Sequence, residues 1–215
     1  MTPFNFEKAC LAQRTLAQKI RLESLKRPLK LIGGADFAIF NSQKKIGAAL
    51  VILDAVNLTV IERVLIVKEL SFPYIPGFLC FREGPVFLQA LKKVKSLPNV
   101  WFIDGNGLAH PRRMGLATFI GVMADIPTIG CAKKAYFPFN EPAQFRGAFT
   151  LYRDRKGEKV GFCLRTKTGV KPIFVSPGHR VSFEDCLFLA LEFSQYRFPE
   201  PLRQAHILAK EIFKS

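Results

Sequence analysis

Hydrophobic positions along the chain change their spacing several times, and each spacing predicts a type of element. Apolar residues at helical intervals predict an amphipathic helix over residues 4–24, which ends near the break Lys26-Arg27-Pro28. Runs rich in β-forming residues then predict three strands, at 29–40, 46–54 and 58–68. Because short polar turns join these strands, they pair as antiparallel neighbours.

A Pro- and Gly-rich aromatic loop at 71–78 leads into a region where predicted helices and strands alternate. There, a strand, a helix and a second strand follow at the spacing of a parallel crossover. The predicted elements are helix 79–96, strand 99–104, helix 111–124, strand 127–132, hairpin strands 148–153 and 159–166, strand 172–176, a loop from Ser176 to His179, and helices 182–193 and 201–213. The fold class is therefore α/β, with a mixed sheet of three antiparallel strands followed by parallel strands and flanked by helices. We expect one domain over residues 1–215.

The composition agrees with a globular chain. Hydrophobic residues make up 49% and charged residues 23% of the 215 positions. The apolar runs are too short and interrupted for a transmembrane helix, so we expect no membrane partner. The N-terminus also lacks the pattern of a signal peptide. Five scattered cysteines, without paired spacing, predict reduced and buried thiols in a cytoplasmic protein, and they do not have the spacing of a zinc site.

The charge balance indicates the kind of partner. Lysine and arginine exceed aspartate and glutamate by 32 to 17, which gives a net charge of +15. This excess favours a polyanion bound through its phosphates. A generally basic surface without a specific partner is the alternative. Charge alone does not separate DNA from RNA, or an enzyme from a coating protein.

Three carboxylates lie where the local sequence gives no structural reason for them. Asp36 interrupts the first strand, Glu83 lies on the helix after the loop, and Asp104 ends the strand 99–104. Burial of such groups is costly unless a cation compensates their charge. If the first and fourth strands are neighbours, all three can meet in one cleft, where oxygen ligands suit Mg²⁺ or Mn²⁺. In the alternative, the two aspartates cap turns and Glu83 pairs with Arg82 or another basic residue.

The loop after the third strand holds a large aromatic residue rigidly. Prolines 73 and 76 fix the backbone on either side of Tyr74 and Ile75. A rigid apolar wedge of this kind can enter a base stack and hold it open. The alternative is a turn whose Tyr74 folds onto the core.

Basic residues cluster at the ends of the predicted strands. The glycine-rich segment after Asp104 carries His110, Arg112 and Arg113 just before a predicted helix N-terminus, which makes them candidate phosphate contacts. Lys133 ends strand 127–132 and could contact a scissile phosphate. His179, in a tight loop, could bind metal-bound water or transfer a proton. Each could instead be an exposed surface residue, and His206 on the last helix receives no role.

Taken in order, these motifs strongly resemble those of the endonuclease V family. The most specific segments are residues 73–77 with Arg82-Glu83, residues 104–112, residues 129–134 and residues 175–180. The resemblance covers almost the whole chain and implies a ribonuclease H-like fold. It also implies cleavage, dependent on Mg²⁺ or Mn²⁺, of the second phosphodiester bond 3′ to deoxyinosine, the product of adenine deamination. The ends left are a 3′-hydroxyl and a 5′-phosphate.

The resemblance also implies a role for individual residues. Asp36 and Asp104 would bind the metal directly, Glu83 and His179 would hold it through water, and Lys133 would face the scissile phosphate. The wedge that fills the gap left by the flipped base would be Tyr74 with Ile75 and Pro76. Backbone would line the lesion pocket around Gly77, Leu79, Gly105, Leu116 and Gly130.

Three positions depart from the family pattern. Asn106 and Phe119 stand where many relatives have histidine, and Gly84 stands where a larger apolar residue is usual. None of them removes an expected metal ligand. We expect a monomer acting on deoxyinosine-containing DNA. An inosine-specific ribonuclease and a binding module without catalysis are the alternatives, and without the resemblance a junction resolvase on a related fold would be another.

Overall fold

The computed structural model describes residues 4–40 and 42–211 of the chain. The described residues form the helices α1 (Phe6–Ala17), α2 (Leu79–Leu91), α3 (Leu116–Ala124), α4 (Phe183–Glu192) and α5 (Glu200–Glu211). The strands are β1 (Leu31–Phe40), β2 (Lys45–Asp54), β3 (Val60–Glu69), β4 (Val100–Asp104), β5 (Thr128–Ala132), β6 (Phe149–Arg153), β7 (Lys159–Leu164) and β8 (Ile173–His179). None of the described helices is both long enough and apolar enough to cross a membrane.

The strands form one mixed sheet in the order β3-β2-β1-β4-β5-β8-β7-β6. Strands β1 to β3 pair antiparallel, whereas β4 pairs parallel with both β1 and β5. Strand β8 then runs antiparallel between β5 and β7. The predicted mixed α/β sheet is confirmed. The first and fourth strands are neighbours, which is the arrangement that the acidic cluster required.

Helices cover both faces of the sheet. Successive residues of β2 alternate between the two cores, with Leu50 and Ile52 on one side and Val51 and Leu53 on the other. This two-sided burial explains the nearly uninterrupted apolar run of that strand, because neither face of β2 meets water. Helices α2 and α3 cover one face, and α4 and α5 cover the other.

Helices α1, α2 and α3 are shorter in the structure than predicted, and for α1 and α3 the difference has a local cause. Helix α1 ends at Ala17, not near residue 24, and the following segment is tied by its backbone to side chains elsewhere, as in the 2.8 Å bond from Leu25 N–H to Asp185. Helix α3 begins at Leu116. Residues 110–115 form turns instead, in which Gly115 N–H donates to the Gly107 carbonyl. Helix α2 ends at Leu91, before the predicted residue 96.

The predicted loop from Ser176 to His179 is wrong, because these residues continue β8 along β5. Pro177 is accommodated opposite Ile129, next to a shift in the strand register where the regular ladder is interrupted. Its carbonyl accepts the N–H of Leu108 at 2.8 Å. The last helix begins at residue 200, and the predicted residues 212 and 213 lie outside the described residues.

Candidate active site

An acidic centre lies at the carboxyl end of the parallel strands. In the register of β1 and β4, Ala35 pairs with Ile103, so Asp36 and Asp104 follow side by side on the same face. Helix α2 presents Glu83 to them. Asp36 and Glu83 are each only 7% exposed. The structure therefore brings together the three carboxylates that stood out in the sequence.

The carboxylates of this centre repel one another. Burial, together with the charges of Asp104 and Asp36, raises the pKa of Glu83 to about 8, and Arg82 offsets part of this effect. Burial and the charge of Asp36 also raise the pKa of Asp104, against the pull of Lys133. Because the pKa of both Glu83 and Asp104 is raised, added positive charge beside them would favour their ionised forms.

Two basic side chains contact the aspartates directly. Lys133, just after β5, places its Nζ 2.7 Å from Oδ2 of Asp104. His206, on α5, places its Nδ1 2.7 Å from Oδ2 of Asp36. The contact made by His206 was missed from the sequence, where this histidine looks like any polar residue on the outer face of an amphipathic helix.

His179 does not belong to this centre, which corrects the role predicted for it. In the sheet register His179 lies opposite Thr128, at the start of β5, whereas Asp104 lies opposite Cys131 near the end of that strand. The ring is buried and fully engaged, with Nε2 at 3.0 Å from Asp125 and Nδ1 accepting the N–H of Arg21 at 3.2 Å. His179 thus holds the segment after α1 in place at the opposite end of the central strands from the acidic centre.

The donors of the acidic centre fit a hard divalent cation. Carboxylate oxygens on adjacent strands are the ligands that Mg²⁺ and Mn²⁺ prefer, and a cation would relieve the repulsion that raises the pKa of Glu83 and Asp104. In the described part of the chain, no three His, Cys, Asp or Glu side chains are already arranged as a metal cage. Lys133 and His206 instead each engage one aspartate oxygen.

A cavity of about 190 Å³ opens beside the acidic centre, and Gly105, the residue after Asp104, forms part of its wall. Its lining consists of Tyr74, Ile75, Pro76, Gly77, Leu79, Cys80, Gly105, Asn106, His110, Met114, Gly115, Leu116 and Tyr136. Seven of the eight residues predicted for lesion recognition are among them. The eighth, Gly130, lies behind the wall, where an added Cβ would overlap the backbone of Gly107.

Tyr74, which the sequence predicted to act as a wedge, points away from the core. Its side chain is 67% exposed, so the alternative in which it folds inward is wrong. The guanidinium carbon of the buried Arg82 lies 5.8 Å from the centre of the ring. A cation at this distance from the ring is attracted to it, which helps to orient Tyr74 without covering it.

The three residues predicted to contact phosphate all have partners within the protein. His110 is buried, and burial with the nearby charge of Arg112 lowers its pKa to about 4, so it is neutral at pH 7 and offers no positive charge to a phosphate. Arg112 donates to the Gly77 carbonyl at 2.8 Å, and its guanidinium carbon lies 4.5 Å from the centre of the Phe78 ring. Arg113 pairs with Asp154 at 2.8 Å. His110 and Arg112 thus hold the Gly77 carbonyl in the wall of the cavity, whereas Arg113 joins the segment before α3 to the turn between β6 and β7.

Two of the departures from the family pattern are in contact with each other. A Cβ added to Gly84 would overlap the ring of Phe119, so the small residue on α2 makes room for the large one on α3. Phe119 also packs edge-on against Phe81, with ring centres 5.7 Å apart. The third departure, Asn106, lines the cavity, and its buried Oδ1 has no protein partner.

Comparisons with known proteins identify the family. The family model of endonuclease V matches residues 14–207. An endonuclease V from Dictyoglomus turgidum is 43% identical over 212 residues, which span 98% of this chain and 92% of the relative. The solved endonuclease V of Streptomyces avermitilis is 38% identical, with a TM-score of 0.92 and coverage of 99% of this chain and 94% of the other.

A third similarity connects the fold with nucleic acid. A D234N variant of endonuclease V from Ciona intestinalis, solved in complex with a 23mer DNA containing an inosine followed by a ribo-adenosine, is 26% identical. Its TM-score is 0.87, and the alignment covers 98% of this chain and 99% of the other. The mixed sheet with its flanking helices is thus the ribonuclease H-like fold of these nucleases. The chain belongs to the endonuclease V family.

Proposed function

We propose that the protein is a DNA repair endonuclease that recognises deoxyinosine and hydrolyses the second phosphodiester bond on its 3′ side, leaving 3′-hydroxyl and 5′-phosphate ends. The observation that carries the proposal is the position of the cavity, whose wall includes Gly105, the residue directly after Asp104 of the acidic centre. Its volume equals about six waters, the size range of a single flipped base. The inosine-containing DNA bound by the relative from Ciona intestinalis supports the choice of lesion.

Cleavage in this proposal depends on Mg²⁺ or Mn²⁺. Asp36 and Asp104 would hold the ion directly, and Glu83 would hold it through water. When bound, such an ion supplies Lewis-acid chemistry at the phosphate and lowers the pKa of an attacking water. Lys133 contributes a fixed positive charge beside Asp104, where the scissile phosphate would lie. His206 orients the carboxylate of Asp36 through Nδ1, and it replaces His179 as the histidine of the active centre.

Recognition of the lesion would use the exposed ring of Tyr74 and the adjoining cavity. Extrusion of a base leaves a gap in the stack, and a rigid aromatic residue fills such a gap with little loss of its own conformational freedom. Prolines 73 and 76 and the contact with Arg82 restrict the motion of Tyr74. In this proposal Tyr74 fills the gap in the base stack while the cavity holds the extruded base.

A nicking assay on a duplex with one deoxyinosine tests the proposal. We expect Mg²⁺-dependent nicking that EDTA abolishes, with no nicking of the matched undamaged duplex. Asp104→Ala should abolish nicking while lesion binding survives, and His206→Ala should slow nicking by at least about 100-fold. His179→Ala serves as the matched histidine control and should slow nicking far less. Nicking that is unchanged by Asp104→Ala, or that depends on His179 more than on His206, would contradict the assignment.

An inosine-directed ribonuclease is the second candidate function. It is favoured by one specific finding, since the DNA in the complex of the Ciona intestinalis relative carries a ribo-adenosine after the inosine. A 2′-hydroxyl is the feature by which a protein distinguishes RNA from DNA at a given position. Single-turnover cleavage rates on matched inosine-containing DNA and RNA decide between the two functions, and the faster substrate identifies the activity.

A further inference from the structure

One backbone carbonyl in the wall of the cavity accepts hydrogen bonds from three different side chains. The carbonyl oxygen of Gly77 lies 3.0 Å from Nε2 of Gln13, 2.8 Å from Nη2 of Arg112 and 3.1 Å from Nε2 of His110. Gly77 has a φ of +80°, in the region that favours glycine. The peptide that follows Gly77 is therefore held in a single orientation by donors from outside the loop.

Gln13 is the donor in this set that lies furthest from Gly77 in the sequence. It lies on α1, where most neighbouring side chains are exposed, and yet it is 0% exposed itself. Its Nε2 donates both to the Gly77 carbonyl and to Sγ of Cys80 at 3.2 Å, and its Oε1 accepts from Nε of Arg112. A buried amide with both ends engaged fixes the loop relative to the first turn of α2.

The other two donors are arranged so that they support this contact. Nδ1 of His110 accepts the backbone N–H of Arg112 at 3.2 Å, which leaves the hydrogen of the neutral ring on Nε2 to be donated to Gly77. Arg112 bridges Gln13 and the Gly77 carbonyl with one guanidinium group. We call Gln13, His110 and Arg112 the Gly77 clamp.

We propose that Gln13 is a specificity-determining positioning residue, which through the Gly77 clamp holds the base-recognition wall of the cavity in its binding geometry. The inference rests on the proposed function of the cavity as the lesion pocket. Gly77, Leu79 and Cys80 all line the cavity. The first N–H groups of α2 have no acceptor within the helix, so their direction toward a base depends on how the loop before them is held.

The clamp acts on the pocket and not on the acidic centre. Neither Gln13 nor Gly77 contacts Asp36, Glu83 or Asp104 through any described hydrogen bond. Loss of the amide donor should therefore weaken the discrimination of a flipped hypoxanthine while the hydrolytic step, once the lesion is bound, continues. The effect of substituting Gln13 is also easier to interpret than that of substituting Arg112, because Arg112 additionally packs over Phe78.

The test uses Gln13→Glu and Gln13→Met in the full chain, with Gln18→Met on the exposed end of the same helix as the control. Glutamate keeps an acceptor for Arg112 but has no donor for Gly77, and methionine keeps the volume without either group. Single-turnover nicking of a deoxyinosine duplex over a range of enzyme concentrations gives a maximal rate and a half-saturating concentration. Fluorescence anisotropy gives the Kd for the undamaged duplex. All measurements are made where circular dichroism shows each variant fully folded.

We expect both Gln13 variants to raise the half-saturating concentration for the lesion about tenfold, as loss of a buried hydrogen bond warrants. The maximal rate should change by less than about threefold and the Kd for undamaged DNA by less than about twofold, because Gln13 is fully buried and makes no described hydrogen bond to the acidic centre. Gln18→Met should change none of these. Unchanged lesion affinity, an equal loss on lesion and undamaged DNA, or a loss confined to the maximal rate would overturn the inference. A wild-type protein that does not distinguish the lesion overturns the proposed function together with it.

Discussion

Replacing Glu83 by glutamine should stabilise the protein at alkaline pH when no divalent metal is bound. Burial and the charges of Asp104 and Asp36 raise the pKa of Glu83 from 4.5 to about 8. A carboxyl group with a raised pKa binds its proton more tightly in the folded state than in the unfolded chain. Its contribution to stability is thus complete below pH 4.5 and is lost as the pH rises through about 8.

The magnitude follows from the same shift. A tenfold change in proton affinity is worth about 1.4 kcal/mol, so the ionised form of Glu83 lowers the free energy of unfolding by up to roughly 5 kcal/mol above pH 8. Glutamine keeps the shape of the side chain and removes its charge. We therefore expect Glu83→Gln to raise the free energy of unfolding by less than about 1 kcal/mol at pH 5 and by about 2 to 4 kcal/mol at pH 9.

Urea unfolding followed by circular dichroism, with EDTA present, measures these free energies at both pH values. Glu69→Gln changes an exposed carboxylate at the end of β3 and should alter stability by less than about 0.5 kcal/mol at either pH. Added Mg²⁺ should stabilise the wild type more than Glu83→Gln, because the cation relieves the same repulsion. Equal stabilisation at the two pH values, or a loss of stability at pH 9, would show that the pKa of Glu83 is not raised in the folded protein.

Gly84→Ala should destabilise the protein by about 1 to 3 kcal/mol, because the new Cβ overlaps the Phe119 ring. In a thermal melt, the double variant that also carries Phe119→Leu should recover most of this loss. Tyr152→Phe should lower the free energy of unfolding by about 1 to 3 kcal/mol in urea, because the buried hydroxyl accepts the N–H groups of Tyr136 and Phe137 at 2.6 Å each; an unchanged midpoint would refute this. Tyr74→Ala should weaken binding of a deoxyinosine duplex by about five- to tenfold in anisotropy titrations, and an equal loss on undamaged DNA would argue against the wedge.

The sequence predicted the parts of this protein that depend on neighbouring residues. Alternation and continuous apolar runs predicted the strands, since a side chain in a strand is buried or exposed with a period of two. Asp36 and Asp104 could be identified because each is a charged residue next to a buried run, and Tyr74 because prolines on either side restrict it. The order of the motifs identified the family, which the comparisons confirm.

The tertiary structure decided which distant residues join these parts. His206 contacts Asp36 across 170 positions of sequence, and Gln13 contacts Gly77 across 64. No local pattern separates His206 from His179, because both are single histidines and only the order and direction of the strands place one of them at the acidic centre. Hydrophobic periodicity shows only whether a residue lies on the buried or the exposed face of its own helix or strand. Which side chains meet each other follows from how the helices pack on the sheet, and that arrangement exists only in the folded chain.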